Sequence, residues 1–328
     1  MLCKKLSIAD MPDLVCENIF RQLDFRSLST IPHLCKRFQN VFSALQLEIH
    51  LESITITIGS YCINIYMDPY NDWTMDIEYH QKDNGCLVRS GNSEKFLEDE
   101  NSTRLFCDDF GRNVRNQKKP LKMLRLNLEN EFENENDNAK LLGSLQSTLI
   151  SRKPLLKVDE LSISSTSISS ILPCIDSKSL KKLAIEGSSD QIQDEITNID
   201  EIVQLEQWAN LEELVARDFF LRIPVKFLRH FSKIDVSLKS ISAMDLCDLK
   251  NAILKSPSFV RFNIHYKYFK EEPSLYDILG PTCDNYNEMW IFEIPKTDKS
   301  ILLVHYASRT FRFSKILSSS VEICQNKY

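Results

Sequence analysis

Six short segments of one shape constrain the fold of this chain more than any other feature. Each has two apolar residues separated by two variable positions, then a variable position and usually a third apolar residue. They begin at Leu121, Val158, Leu180, Leu211, Phe231 and Phe259. Such alternation is typical of a strand, and helical or loop stretches such as 139–150 and 244–254 lie between the segments. The pattern predicts repeated strand-and-helix units that build a curved parallel sheet with helices outside.

The spacing of these segments leaves a second interpretation open. Successive segments start 37, 22, 31, 20 and 28 residues apart, and the asparagine expected after the strand of a leucine-rich repeat is mostly missing. We therefore expect either degenerate repeats of the leucine-rich type or a plain layered α/β domain.

Strand patterns of a different kind flank the repeats. Apolar and polar residues alternate from 47 to 88 with turn residues between the runs, which predicts an antiparallel meander followed by a weak helical signal around Phe96 and Leu97. Residues 129–138 are acidic and rich in asparagine, which predicts a solvated loop. Strand patterns return from 289 to 317, with a polar turn at 296–299, and predict a hairpin or three-stranded patch that caps the end of the repeats.

The N-terminal stretch 10–45 is dense in apolar residues at helical spacing and predicts three short helices. Asp10 is the predicted cap of the first helix, with Pro12 in its first turn. A unit of this size cannot bury all its apolar surface, so the surplus indicates a partner. The alternative is an ordinary helical subdomain packed on the rest of the chain.

The order of residues in this stretch resembles an F-box. Met11-Pro12, Ile19-Phe20 and the run from Leu34 to Phe38 stand in the register of that family, with Met11, Leu34 and Phe38 replacing its usual Leu, Val and Trp. The resemblance implies docking on a Skp-type adaptor of a cullin-based ubiquitin ligase. The residues that it marks as adaptor-binding are Met11, Pro12, Ile19, Phe20, Leu23, Leu28, Leu34 and Lys36, although some of them must form the core of the motif itself.

A second resemblance covers roughly residues 120–270. The phrases LKKLAIEG from Leu180 and EIVQLEQWANLEELV from Glu201, and the stretch that follows Ser237, are similar to the FTH domain, which follows the F-box in a large nematode family. This implies an F-box protein with a C-terminal recognition domain. We predict three parts: an F-box at 1–46, a β-meander with a connecting segment at 47–118, and an FTH or repeat-like recognition domain at 119–328, an α+β or α/β fold overall.

Composition narrows the environment and the partners. Apolar residues make up 43% and charged residues 26%, which is typical of globular chains. The net charge of −6 gives no reason to expect nucleic acid, and no apolar run is long enough for a signal peptide or a membrane span. Ten scattered cysteines without a secretory signal indicate reduced thiols, and hence the cytoplasm or nucleus.

Recognisable catalytic chemistry is missing from the sequence. No CxxC pair, zinc spacing, GxSxG motif or glycine-rich phosphate loop occurs, and the six histidines are isolated in sequence. We therefore predict a non-catalytic protein without cofactor or metal, against the alternative of an enzyme with an unrecognised site.

The function predicted from these features is substrate recognition within a Skp–cullin–F-box ubiquitin ligase, with an unknown protein substrate. The alternative is a structural scaffold whose F-box-like segment binds no adaptor. The residues that alternate with the buried ones on each repeat strand should project from one concave face, mixing both charge signs. The anchors predicted on this face are Arg125, Lys182, Arg217 and Arg261, although plain solvated sheet positions would show the same pattern.

Overall fold

The computed structural model describes residues 8–23, 27–28, 31, 34–44, 50–59, 61–69, 74–115, 117–128, 135–164, 167–187, 199–270, 274–283, 288–295 and 300–318. The chain divides into two compact units with mixed α/β structure. The first comprises Met1–Asp159 with Cys174–Ser179, and the second comprises Glu160–Pro173 with Leu180–Tyr328. The predicted three-part division at residues 46 and 118 stays a prediction. Within the described residues, no helix is both long enough and apolar enough to span a bilayer.

Helices open the first unit. A 3₁₀ turn at Ile8–Asp10 precedes α1, Asp13–Phe20, and α2 follows at Lys36–Ala44. The expected cap at Asp10 is wrong: Pro12 is the residue that precedes the helix, and no side chain caps it. Pro12 has a φ of −56°, which suits a helix, and an extended ψ of 150°, which places it just outside α1.

The N-terminal helices share a small core of their own. Six buried side chains form it, and others, such as Met11 and Ile19, pack on its margin. The rings of Phe20 and Phe38 meet edge to face with centroids 5.6 Å apart. We call this group the N-terminal cluster; its buried members are Cys16, Phe20, Leu28, Ile31, Phe38 and Val41.

An antiparallel meander follows, as predicted. Its strands are β1, Leu51–Ile58; β2, Cys62–Pro69; β3, Met75–Lys82; β4, Gly85–Ser90; and β5, Ser93–Glu98. Each pairs antiparallel with the next, and β1 also pairs in parallel with β6, Leu121–Leu128. Two further helices of this unit are α3, Ser102–Arg115, and α4, Glu135–Ser151. The acidic stretch expected as a loop therefore ends inside α4, and its part at 129–134 lies outside the described residues.

The helical signal expected around Phe96 and Leu97 is wrong. Both residues lie in β5, which pairs with β4 after a turn at Gly91. Gly91 adopts a φ of 55°, which a glycine tolerates without strain. Phe96 is exposed, so the apolar residues that the pattern counted toward a buried helical face do not mark one.

Two polar side chains join segments of the first unit through hydrogen bonds to the backbone. The buried side-chain amide of Gln117 accepts from Leu51 N at 2.9 Å and donates to Leu51 O at 2.9 Å. It thus makes the two hydrogen bonds that the backbone of a neighbouring strand would otherwise make with the first residue of β1. The guanidinium of Arg152, at the end of α4, donates to the carbonyls of Val114, Gln117, Pro154 and Leu155. Burial lowers the pKa of Arg152.

Parallel strands form the second unit, at the segments that the sequence singled out. They are β7, Val158–Ser164; β8, Lys182–Glu186; β9, Glu213–Leu221; β10, Lys233–Ser242; and β11, Arg261–Lys270. Each of these strands pairs in parallel with the next. The intervening helices are α5, Ile168–Ile171; α6, Ile199–Ile202; α7, Glu206–Asn210; α8, Ala243–Ile253; and α9, Leu275–Leu279. A capping box between Ser242 and Asp245 starts α8.

The predicted C-terminal strands are present as β12, Glu288–Glu293; β13, Ser300–Ala307; and β14, Thr310–Leu317. They form an antiparallel meander, and β14 pairs antiparallel with β11, so the meander adds to the edge of the parallel sheet. The predicted turn at 296–299 lies outside the described residues. Trp208 anchors the core of this unit: its ring is buried, packs edge to face on Phe231, and donates from Nε1 to Phe227 O at 3.2 Å.

Candidate functional site

The N-terminal cluster leaves large apolar side chains in solvent. Leu14 on α1 is 68% exposed and Leu34 is 66% exposed, and Val15 is also exposed. Five positions of α1 carry apolar residues, and together they span a wider arc around the helix than so small a core can cover. Part of that apolar arc therefore stays in solvent.

The eight residues predicted to bind an adaptor fall into three groups. Phe20 and Leu28 are buried in the cluster core, so their direct role in the free chain is packing. Met11, Ile19 and Leu23 are half-buried on the margin of the core, whereas Pro12, Leu34 and Lys36 are exposed. Contact of any of them with an adaptor stays a prediction.

Arg37 fixes the start of α1 against α2. Its guanidinium donates to the Met11 carbonyl and lies 3.2 Å from an Asp13 carboxylate oxygen. Asp13 lies in the first turn of α1, where a negative charge is also favoured by the helix dipole. The exposed residues Pro12 and Leu14 therefore stand on a segment whose position is set by hydrogen bonds.

Polar side chains cover one face of strands β7 to β11. The first row across this face alternates in charge over its first four members, and these pair: Lys182 Nζ lies 2.9 Å from Glu160 Oε1, and Lys233 contacts Glu213. The full row is Glu160, Lys182, Glu213, Lys233 and Arg261. Because most of these charges already have partners, this row has little unbalanced charge to offer a ligand.

Further along the same face, a buried carboxylate lies among cationic and polar groups. Asp235 is only 6% exposed, and it accepts from Arg217 and from Asn263 Nδ2, the latter at 3.2 Å. His265 Nε2 is 3.9 Å from the other Asp235 oxygen. The hydrogen bond with Asp235 raises the pKa of Arg217, so this guanidinium stays charged.

A cavity of about 530 Å³ opens beside this group, and we call it the cationic cavity. Arg217, His265, Lys267 and Arg309 supply its basic side chains, and Phe220 and Tyr266 supply aromatic walls. Its remaining lining residues are Ser237 and Ser308. No carboxylate is among its lining residues in the described part of the chain, but Asp235 already pairs with Arg217, so the positive charge left for an anion comes mainly from Lys267 and Arg309.

Elements from across the second unit position these side chains. Arg217, Ser237 and His265 come from successive parallel strands, and Ser237 Oγ donates to Arg217 O at 2.9 Å. Arg309 comes from the turn between β13 and β14, which the hydrogen bond from Tyr266 N to Arg309 O holds beside β11 at 3.2 Å. Burial and a hydrogen bond with Tyr306 raise the pKa of Tyr266, so this phenol stays neutral.

Of the four predicted substrate anchors, only Arg217 lines the cationic cavity. Lys182 and Arg261 belong to the paired row, and Arg125 lies on β6 of the first unit. Sequence reasoning missed Lys267, although it continues the alternation that gives Arg261, Asn263 and His265 on β11. Nothing in the sequence pattern marks Arg309, because its place depends on how β14 pairs with β11.

Other titratable groups in the described residues have structural explanations. Tyr79 donates to Asp109 at 2.7 Å, and burial raises its pKa. Burial raises the pKa of Cys107 and of Cys174 to about 11, so both remain thiols at neutral pH and are poor nucleophiles. The pairing of β2 with β3 brings Cys62 beside Glu78 and His80, which share one face of β3.

Comparison with known proteins confirms both resemblances. The F-box domain model matches residues 8–50, and the FTH domain model matches residues 139–280. A Caenorhabditis elegans protein named F-box A protein 224 is 23% identical over 308 residues, a match that covers 90% of this chain and 76% of that protein. The N-terminal cluster thus lies in the first matched span, and strands β7 to β11 lie in the second.

Proposed function

Because the chain carries an F-box domain followed by an FTH domain, we propose that it is the substrate-recognition subunit of a Skp–cullin–F-box ubiquitin ligase. F-box proteins are generally non-catalytic adaptors, and the chain would contribute proximity alone. It would raise the effective concentration of substrate lysines near the ubiquitin-carrying enzyme. We place this activity in the cytoplasm or nucleus, where such ligases work.

The observation that carries the adaptor half of this proposal is the exposed apolar surface of the N-terminal cluster. Leu14 and Leu34 remain in water in the free chain, although the cluster has a core of its own. Exposed large apolar side chains of this kind favour binding of a partner, because the partner removes their apolar surface from water. We assign the contact with a Skp-type adaptor to Pro12, Leu14, Val15 and Leu34, with Met11, Ile19, Leu23 and Lys36 at its margin.

The substrate half of the proposal rests on the cationic cavity. Lys267 and Arg309 line it beside Arg217, which pairs with Asp235, and this excess of positive charge favours a negatively charged side chain of a protein substrate. Arg217 lies at the middle of β9 and Lys267 in the carboxyl-terminal half of β11, so the cavity opens along the polar face of these strands. We also propose that β6 to β11 are degenerate repeats of the leucine-rich type and that the F-box consists of three helices.

Adaptor binding is tested with the full-length chain and a purified Skp-type adaptor. The double variant Leu14→Glu with Leu34→Glu should lose at least tenfold in affinity, because each lost anchor costs about 1–2 kcal/mol. Both residues are exposed, so the variant should keep the circular dichroism spectrum of the parent. The matched control is Met244→Glu with Tyr276→Glu, two exposed apolar residues of the second unit.

The result distinguishes the two hypotheses for the N-terminal segment, a ligase subunit and a scaffold. Loss of binding in the Leu14/Leu34 variant alone supports the ligase subunit. A parent chain that binds no adaptor leaves the scaffold alternative, in which the F-box engages nothing of this kind.

Substrate capture needs a second experiment, by proximity labelling in cells. Lys267→Glu with Arg309→Glu should remove a defined subset of labelled proteins and leave adaptor binding unchanged. Asp235 accepts from Arg217 and Asn263, neither of which is changed, so the buried carboxylate keeps both partners. Lys226→Glu with Lys255→Glu changes the net charge equally outside the cavity; if it removes the same proteins, the substrate site lies elsewhere.

A further inference from the structure

One face of the β2–β3 pair brings a thiol, an imidazole and a carboxylate together. Cys62 lies opposite His80 in the antiparallel register, and Asn64 lies opposite Glu78. Cys62 Sγ is 3.6 Å from His80 Nε2, and Glu78 Oε2 is 2.8 Å from the same nitrogen. All three ligand atoms lie within 4.8 Å of one another. We propose that Cys62, Glu78 and His80 bind a transition-metal ion of the zinc class.

One ligand separation already fits the tetrahedral shell of zinc, and a second lies within a small side-chain movement of it. Zn–S, Zn–N and Zn–O bonds of about 2.3, 2.05 and 2.0 Å at tetrahedral angles place sulfur and nitrogen about 3.6 Å apart, and nitrogen and oxygen about 3.3 Å apart. The Cys62–His80 separation already has the first value. Glu78 must withdraw by roughly half an ångström to reach the second, and its half-exposed side chain has the freedom to do so.

The donor set selects the class of metal. A thiolate with an imidazole suits zinc and its neighbours, whereas magnesium and calcium prefer oxygen ligands throughout. The thiolate of Cys62 and the carboxylate of Glu78 supply two negative charges, which balance a divalent cation. Asn64 Oδ1, 2.8 Å from Cys62 Sγ, or a water molecule completes the fourth position.

One neighbouring cation pairs with a different carboxylate. Arg89 lies opposite Glu78 in the β3–β4 register, but its Nε atom bonds to Glu94 at 3.3 Å. Ile63 and Ile65, which alternate with the ligand positions on β2, are buried on the opposite face. The strand ladder therefore fixes the ligand backbone before the metal arrives, and only side-chain rotations remain.

Metal binding should depend on pH and should stabilise the pairing of β2 with β3. Cys62 must give its thiol proton to solvent, and the proton that His80 Nε2 shares with Glu78 must leave as well, before both coordinate the metal, so affinity should fall as the pH is lowered. Two ligands come from β3 and one from β2, so the ion joins the two strands through side chains. Metal should therefore slow amide hydrogen exchange in Cys62–Pro69 and Met75–Lys82.

The test uses the full-length chain, freed of metal by a chelator and titrated with Zn²⁺ and with Co²⁺ as an optical probe. We expect one ion per chain, a thiolate-to-cobalt charge-transfer band, and visible bands of tetrahedral cobalt. Cys62→Ser and His80→Gln should each lower the zinc affinity at least tenfold, by analogy with the losses that even outer-shell changes cause. Cys247→Ser and His305→Gln are the matched controls, which should bind as the parent does.

Two results would overturn the site: a cobalt spectrum without the thiolate band, or equal zinc affinity in Cys62→Ser and the parent. If the Cys62 variant fails to fold, alkylation of the parent decides. Zinc should protect Cys62 from alkylation and leave the exposed Cys283 reactive, whereas equal labelling with and without zinc would contradict the proposal. None of these readouts depends on adaptor or substrate binding.

Discussion

The N-terminal cluster and the parallel sheet of the second unit differ in the kind of side chain that they leave exposed to solvent. The cluster buries six side chains and leaves Leu14 and Leu34 in water. The sheet buries its apolar residues on strands such as β10 and turns a charged face outward, where Lys182 pairs with Glu160 and Arg217 with Asp235. The exposed surface that most favours a partner is apolar in the cluster, whereas in the second unit it is cationic at Lys267 and Arg309, so the two regions suit partners of different chemistry.

The largest expected effect on stability comes from removing a large side chain from the core of the N-terminal cluster. Phe20→Ala removes a ring that is 2% exposed and packs on Phe38, so we expect a loss of about 3–5 kcal/mol within the N-terminal cluster. Hydrogen exchange should then lose protection over α1 and α2 and keep it over β9 to β11. Phe96→Ala, at an exposed ring on β5, is the control and should change stability by no more than about 0.5 kcal/mol. Equal loss of protection in both regions would contradict the independence of the small core.

The second effect tests the buried carboxylate of the sheet. Arg217→Leu leaves Asp235 with a weaker set of partners, and denaturant unfolding should show a loss of about 1–3 kcal/mol. Adding Asp235→Asn should recover part of that loss, because a neutral amide is less costly to bury. Strict additivity of the two single changes would mean that the ion pair contributes nothing beyond its separate residues.

A third, smaller effect depends on pH. Burial lowers the pKa of His230, whose Nε2 lies 2.9 Å from Trp208 O, so the unfolded chain binds a proton more readily than the folded one. The stability contributed by neutral His230 is complete above about pH 6.5 and is lost as the pH falls below that value toward the folded-state pKa. Thermal unfolding from pH 7.5 to 5 should show this slope, and His230→Gln should reduce it. His305→Gln, on β13, is the matched control; an identical slope in the His230 variant would refute the assignment.

The smallest effect concerns the paired row on the sheet. Lys182→Met breaks the contact with Glu160, whose side chain is partly exposed, and should cost about 0.2–1 kcal/mol at low salt. The cost should shrink at about 1 M salt, where screening is strong. A loss above about 2 kcal/mol, unchanged by salt, would show that the row is a buried network and not a solvated face.

Sequence patterns predicted the strands better than they predicted the surfaces. Leu121, Leu124 and Leu126 are buried and the residues between them are not, as alternation requires, and the same holds on β8. Helical spacing could not decide which side of α1 is buried, because Leu14 and Phe20 are equally apolar, and only packing against Phe38 separates them.

The candidate sites were only partly accessible to sequence reasoning. Arg217 was found because strand alternation places it on the polar face, whereas Arg309 reaches the same cavity through a distant turn. The grouping of Cys62 with His80 escaped the search for zinc motifs, because such motifs depend on short linear spacing and this group depends on strand register. Pairing partners between strands are a long-range property, which local patterns do not specify.

The parallel pairing of β1 with β6 also has a consequence for the newborn chain. Ser53 pairs with Met123, and the buried amide of Gln117 completes the backbone bonds of Leu51 from 66 residues away. At roughly 5–20 residues per second, a ribosome needs several seconds to deliver these partners after β1 has emerged. During that interval β1 has β2 on one side and an open row of peptide groups on the other, which is a template for pairing with the wrong chain. The speed of translation between residues 51 and 128 therefore sets how long the nascent polypeptide is vulnerable to aggregation, and chaperones would matter most in that window.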